Sequence, residues 1–132
     1  MSEMRVLIVD DEEDMRALVR ATIELANEGL TVAAEAADGE TAVSIVREQR
    51  PEVVVIDQRM PGVTGLETAR RILDEHPEQA IVLFSAYLDG DVVRAAQRMG
   101  VRMCLAKDDI RHLPDVIWGT EPDDTPRGGG LV

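Results

Sequence analysis

The 132-residue chain carries 14 basic against 26 acidic residues, a net charge of −12, which repels a nucleic-acid backbone and favours a cation or a basic protein surface as partner. With 45% hydrophobic and 30% charged residues it fits one globular domain with a real core, and no stretch approaches the roughly 18 apolar residues of a membrane span. Three aromatic residues (Phe84, Tyr87, Trp118) are too few for a base-stacking platform, and the single Cys104 excludes an internal disulfide and a cysteine-rich zinc site.

The chain starts Met-Ser-Glu-Met-Arg and passes directly into Arg5–Val9, an apolar, β-branched run read as the first strand. No signal-peptide pattern precedes it, so the expected location is cytoplasmic. After the acid run Asp10 to Asp14, the helical spacing of Met15, Leu18, Val19, Thr22, Ile23 and Ala26 predicts a helix with these residues on one face and Arg16 and Arg20 on others, stopping at Asn27-Glu28-Gly29. Leu30–Ala36 reads as a second strand, and Thr41–Gln49 as a helix burying Ala42, Ile45 and Val46 before Pro51.

Val53–Ile56 is wholly apolar and β-branched, the pattern of a strand covered on both faces, and it runs straight into Asp57 and a Met60-Pro61-Gly62 turn. Asp57 alone reads equally as a turn residue or as a carboxylate displayed for chemistry. Leu66, Ala69, Ile72 and Leu73 mark a third helix ending before Pro77, and Ala80–Phe84 a fourth strand closed by Ser85. Asp89 is placed to cap a helix carrying Val92, Val93, Ala96 and Met99 that Gly100 closes. Val101–Ala106 is then a fifth strand, followed by Lys107 and a short helix from about Asp109 to Trp118 that tolerates Pro114 only in its first turn. From Gly119 the apolar periodicity ends, so residues 119–132 are expected to be a disordered tail or the start of a linker behind a domain of residues 1–118.

Five β-α repeats predict a parallel sheet with helices on both faces and right-handed crossovers. Its strands all end on one edge, so Asp10, Asp11, Asp57, Ser85 and Lys107 are expected to share one crevice. Three carboxylates gathered there repel one another unless a cation sits among them, and an all-oxygen site suits Mg²⁺. Beside them, a hydroxyl and an ammonium suit an anion such as a phosphoryl group, with Asp57 as its nucleophile. Glu12, Glu13 and Asp14 read as a solvated helix start, and His76 and His112 as surface residues.

Asp10-Asp11, Asp57 with Met60-Pro61-Gly62 and Gly65, Ser85-Ala86 and Lys107 together resemble the receiver domain of bacterial two-component response regulators, over residues 4 to 118. The resemblance implies an α/β, flavodoxin-like (βα)5 doubly wound fold with strand order 2-1-3-4-5. It also implies transfer of a phosphoryl group from a sensor histidine kinase or phosphotransfer protein onto Asp57, with Mg²⁺ as cofactor. Asp57 and Asp11 would bind the metal directly, Asp10 mainly through water, and the Arg59 carbonyl would complete the protein ligands. Lys107 would pair with the phosphoryl oxygens, and the Ser85 hydroxyl would move to bond one of them. Such a domain catalyses only its own phosphorylation and dephosphorylation, and it acts on an unknown downstream protein through protein contacts, without binding nucleic acid or membrane itself.

Three departures from the family stand out. Cys104 occupies the switch position that usually carries Tyr or Phe, and its register points it toward the fourth helix. Asp108 follows the lysine where many relatives have proline, and the last helix is short, which together weaken the expectation of dimerisation through that surface. Arg59 and Tyr87 stand two residues beyond Asp57 and Ser85 and are positioned to shield an acyl phosphate, which predicts slow self-dephosphorylation. Arg94 and Arg98 read as solvated helix charges. The alternative readings are the receiver part of a longer DNA-binding transcription regulator, a hydrolase using Asp57 transiently on phosphate esters, and a binding module that is not phosphorylated.

Overall fold

A computed structural model describes residues 3–26 and 28–121. Strands and helices alternate as β1 (Met4–Val9), α1 (Glu13–Ala26), β2 (Leu30–Ala36), α2 (Gly39–Gln49), β3 (Val53–Ile56), α3 (Gly65–Glu75), β4 (Ala80–Ser85), α4 (Gly90–Met99) and β5 (Met103–Ala106). A 3₁₀ segment, Lys107–His112, leads into α5, Leu113–Gly119. The strands form one parallel sheet in the order β2-β1-β3-β4-β5, the flavodoxin-like order expected from the sequence.

The period of two along each strand builds two cores. Leu7, Val9, Val54, Ile56, Ile81 and Leu83 face Ala42 and Val46 of α2, Ala69 and Ile72 of α3, and Ala96 of α4. On the other face Val6, Ile8, Val53, Val55, Val82 and Phe84 meet Val19 and Ile23 of α1, and Leu113 and Ile117 of α5. Both sides of β3 are therefore covered, which is why its sequence shows no polar alternation and all four residues are buried. At the sheet edges β2 and β5 are only half-buried.

Helix ends follow local chemistry. The Asp38 side chain accepts from the Thr41 N–H at 2.8 Å, and that bond holds its carboxyl below the ordinary range. Thr64 and Glu67 form a reciprocal capping box at the start of α3. Asp89 caps α4, and Gly100 closes it with a φ of 109°.

Five expectations need correction. Leu18 is 49% exposed, because the stripe of α1 that meets the sheet runs through Met15, Val19 and Ile23 and leaves Leu18 on its flank. In α2 it is Val43 that is buried with Ala42 and Val46, while Ile45 packs only partly. β5 begins at Met103 because the Val101 N–H is spent on the Ala96 carbonyl, at 3.0 Å, in closing α4. The last helix is divided, with a 3₁₀ segment from Lys107 and α5 starting only where Pro114, lacking an N–H, falls in its first turn. α5 also reaches Gly119, and Thr120 is buried, its hydroxyl donating to the Ile117 carbonyl at 2.7 Å. The packed body thus extends past residue 118, and residues 122–132 of the expected tail lie outside the described residues.

Candidate functional site

The crevice is set by where the strands stop. The Asp10 N–H donates to the Ala36 carbonyl at 3.1 Å and the Asp57 N–H to the Val9 carbonyl at 3.0 Å, so the sheet ladder continues one step into each acid. Both side chains are buried, at 3% and 6% exposure. Lys107 is the first residue after β5, and its ammonium lies between them, 3.0 Å from Asp10 Oδ2 and 3.1 Å from Asp57 Oδ2. Burial by itself pulls this ammonium down, but its hydrogen bonds to Asp10 and Asp57 outweigh that and hold it above its ordinary 10.5. It is therefore charged at neutral pH.

Asp11 is exposed at the mouth, and one oxygen each of Asp10, Asp11 and Asp57 lies within 4.8 Å of the others. These carboxylates differ in what they leave free. Asp10 Oδ1 accepts from the Glu12 N–H at 2.9 Å and Oδ2 from Lys107, so both of its oxygens are engaged. Asp57 Oδ1 is buried with no hydrogen-bond partner. Such an orphaned carboxylate oxygen is unfavourable unless something binds it. Three carboxylates facing one ammonium, with all-oxygen donors and open access beside Asp11, fit a small hard divalent cation.

The loop after Asp57 is held closely. Gly65 N–H donates to the Gln58 carbonyl at 2.9 Å and Leu66 N–H to the Gln58 side chain at 2.9 Å. Met60 is buried in the core beneath the loop, and Gly62 turns it with a φ of 82°. Ser85, fully buried at the end of β4, accepts a hydrogen bond from the Tyr87 N–H at 3.1 Å. The Arg59 guanidinium lies over the Tyr87 ring, 3.9 Å from its centroid. These two residues, paired in the sequence analysis as shields of an acyl phosphate, are in direct contact.

Asp10, Asp11, Asp57 and Lys107 are brought together as the sequence predicts. Ser85 ends the neighbouring strand, and its hydroxyl is engaged by the loop that follows it. Cys104 lies away from the cluster, half-buried on the sheet face packed by α4. Burial raises its thiol above the ordinary 9.0. Native protein is therefore expected to react with iodoacetamide at neutral pH at least about tenfold more slowly than urea-unfolded protein; equal rates, read by mass spectrometry, would contradict this placement.

Arg94 pairs with Asp91 on the exposed side of α4, as a solvated helix charge does. His112 is exposed. His76 is more covered than His112: its side chain is 17% exposed, and Nε2 is buried without a hydrogen-bond partner. The residue closes α3 with φ −134° and ψ 79° ahead of Pro77, which excludes the helical region, beside Pro51 and Gln79 at the opposite edge of the sheet.

Arg16 is a contributor that sequence reasoning missed. Its Nη1 donates to the Asp10 carbonyl at 2.7 Å, while Nε meets Glu35 at 3.0 Å. Glu35 also takes Arg20 at 2.7 Å. Burial pushes the Glu35 carboxyl up, yet Arg20 and Arg16 outweigh it and hold the group below its ordinary 4.5. The available signal was Glu35 itself, an acid among the small apolar residues of β2 that calls for a cation on the helix beside it.

Comparison with known proteins agrees with this geometry. A family model described as the response regulator receiver domain matches residues 6–117. The chain is 30% identical over 120 residues to sporulation initiation phosphotransferase F of Bacillus subtilis, covering 89% of this chain and 93% of that protein. It is 42% identical over 94 residues to protein-glutamate methylesterase/protein-glutamine glutaminase 3 of Hahella chejuensis, covering 71% of this chain but only 26% of that protein. The chain thus spans about a quarter of the length of such methylesterase relatives. Among solved structures, the signal receiver domain of the putative response regulator NarL from Mycobacterium tuberculosis superposes with a TM-score of 0.80 at 27% identity, covering 90% of this chain and 99% of that one. With the family model running from β1 into α5 across every strand end of the crevice, the chain belongs to the response regulator receiver domains of two-component signalling.

Proposed function

We propose that Asp57 accepts a phosphoryl group from a phosphohistidine of a sensor kinase or phosphotransfer protein, and that the loaded domain signals through protein contacts. The observation that carries this reading is the Asp57 carboxylate itself, with one oxygen tied to Lys107 and the other buried and free. In the transfer, an Asp57 oxygen forms a bond to phosphorus as the P–N bond to the donor imidazole breaks. The electron pair leaves on that nitrogen, which takes a proton from solvent. Lys107, 3.1 Å from Asp57 Oδ2, would follow the charge from carboxylate to phosphoryl oxygen, and such positioning and neutralisation is most of what phosphoryl transfer needs. The Ser85 hydroxyl supplies a further hydrogen bond to a phosphoryl oxygen.

Asp11 and Asp57 would hold Mg²⁺ directly and Asp10 through water, in keeping with its two engaged oxygens, while the Arg59 carbonyl would supply the remaining protein ligand. The bound ion supplies charge neutralisation for the carboxylates and the incoming phosphoryl group. Among the described residues no helix is long and apolar enough to cross a membrane. We place the domain at residues 1–118 together with the last turn of α5, in the cytoplasm. The same site would serve a stand-alone regulator or the receiver part of a longer transcription regulator.

Intact-mass analysis after incubation with acetyl phosphate and Mg²⁺ tests this. A single phosphoryl adduct is expected, absent in Asp57→Asn and absent without metal; an adduct that survives Asp57→Asn would move the phosphoacceptor elsewhere. A long cation two residues beyond Asp57 hinders the approach of water to the acyl phosphate, so the adduct is expected to persist for minutes or longer after the donor is removed. Decay within seconds in Mg²⁺ would contradict that shielding.

A further inference from the structure

Tyr87 is held by two contacts, one to the end of β4 and one to the loop after Asp57. Its backbone N–H donates to Ser85 Oγ at 3.1 Å. Its ring lies under the Arg59 guanidinium at 3.9 Å. The ring is otherwise half exposed, and it closes one side of a cleft of about 470 Å³ whose other walls include Met60, Pro61, Thr64 and Val92. Arg59 makes no ion pair among the described residues, although the chain has an excess of carboxylates.

A phosphoryl group on Asp57 competes with the Tyr87 ring for Arg59 and offers the Ser85 hydroxyl a new acceptor. It brings about two negative charges into a crevice whose one ammonium is already divided between Asp10 and Asp57. Among the described residues Arg59, two positions beyond Asp57, is a cation without an ion pair, and a guanidinium–phosphate pair is stronger than an exposed cation–π contact. The Ser85 hydroxyl accepts from the Tyr87 N–H and keeps its own proton to donate, so turning that proton toward a phosphoryl oxygen changes the angle at which Oγ meets Tyr87.

We propose that the Arg59 side chain is a phosphoryl-binding group kept on the Tyr87 ring until Asp57 is loaded, and that its transfer, together with that of Ser85, releases Tyr87 and opens the cleft beside α4. The inference rests on Asp57 as phosphoacceptor. It gives the chain a second role for Arg59, through its side chain, and makes the face formed by Met60, Pro61, Tyr87 and Val92 the surface that changes on loading.

Tyr87 is the sole tyrosine in the chain, so 3-fluorotyrosine labels it alone, and fluoroberyllate with Mg²⁺ serves as the phosphoryl probe. One fluorine NMR spectrum then reports both groups. Bound fluoroberyllate signals that vanish in Asp57→Asn are expected, together with a shift of the Tyr87 resonance by more than its linewidth. In Arg59→Ala the resting Tyr87 resonance should already lie toward the loaded position, and fluoroberyllate should move it less than in the parent; Ser85→Ala should act in the same sense. Bound fluoroberyllate with an unmoved Tyr87 would overturn the release and leave the phosphoacceptor reading intact. A Tyr87 shift of full size in Arg59→Ala would show that Arg59 merely covers the ring. No bound fluoroberyllate in the parent protein would overturn the phosphoacceptor reading and this inference with it.

Discussion

Alanine at Lys107 is expected to lower folding stability by about 3 kcal/mol in metal-free buffer, the lower end of what removing one partner of a buried ion pair does. Asp10 and Asp57 are 3% and 6% exposed and share this one ammonium, which is itself 13% exposed. Without it, the buried pair and Asp11 face one another with no cation. The lower end applies because the mouth beside Asp11 is open to water, which screens part of the repulsion.

The deficit should shrink on adding millimolar Mg²⁺, because a cation that binds only the folded crevice stabilises it by mass action. Lys107→Ala leaves three carboxylates and no ammonium, so Mg²⁺ should stabilise the variant more than the parent. Urea unfolding with and without Mg²⁺ measures both effects. A variant as stable as the parent in metal-free buffer, or an equal Mg²⁺ increment in the two proteins, would contradict this account. The sign of the pH dependence follows from the raised value of Lys107. Its contribution is complete below its unfolded value of about 10.5 and is lost as pH rises through the higher folded value. The parent should therefore lose stability on the alkaline side through a step that the alanine variant lacks.

Gly65→Ala is expected to damage folding and phosphoryl uptake together. A Cβ at Gly65 would lie 2.2 Å from the Asp57 carbonyl oxygen and 2.9 Å from both the Asp57 carbonyl carbon and the Gln58 Cα. All three are backbone atoms, so no side chain can move aside and the chain must shift. Overpacking of this kind lowers stability by about 1–3 kcal/mol. The shift falls on the residue that carries the proposed phosphoacceptor, so adduct formation should drop by about tenfold or more even in the folded fraction, given how steeply transfer depends on alignment. Gly62→Asn provides the contrast. Gly62 has a φ of 82° but nothing within 4 Å of its missing Cβ, so asparagine meets only the modest strain of the left-handed region. It should lose about 1 kcal/mol or less and keep the adduct. Wild-type adduct formation in Gly65→Ala, measured by intact mass with stability followed by urea unfolding, would show that this close approach does not position Asp57.

Much of the molecule is legible without coordinates. The apolar runs Val53–Ile56 and Ala80–Phe84, covered on both faces, specify central strands, and alternation of strand and helix patterns then requires a parallel sheet whose ends share one edge. From that, the meeting of Asp10, Asp11, Asp57 and Lys107 follows, because it depends only on where each strand stops. The α4 boundaries set by Asp89 and Gly100 are equally local, since a cap acts on its own neighbouring N–H and carbonyl groups.

What tertiary structure alone decided is which of these groups are already satisfied and which face of each element is covered. Leu18 has the spacing of a core residue, but the position of α1 on the sheet leaves it half exposed. The pairing of Arg16 with Glu35 and the Asp10 carbonyl requires α1 to lie beside β2, and the stacking of Arg59 on Tyr87 requires the loops after β3 and β4 to approach each other. Neither is encoded by spacing, because the partners are separated along the chain and their side chains select one another only once the sheet has fixed the distance. The free Oδ1 of Asp57 and the fully engaged carboxylate of Asp10 are identical chemistry in the sequence, and they differ only through the hydrogen bonds that the fold brings to one and withholds from the other.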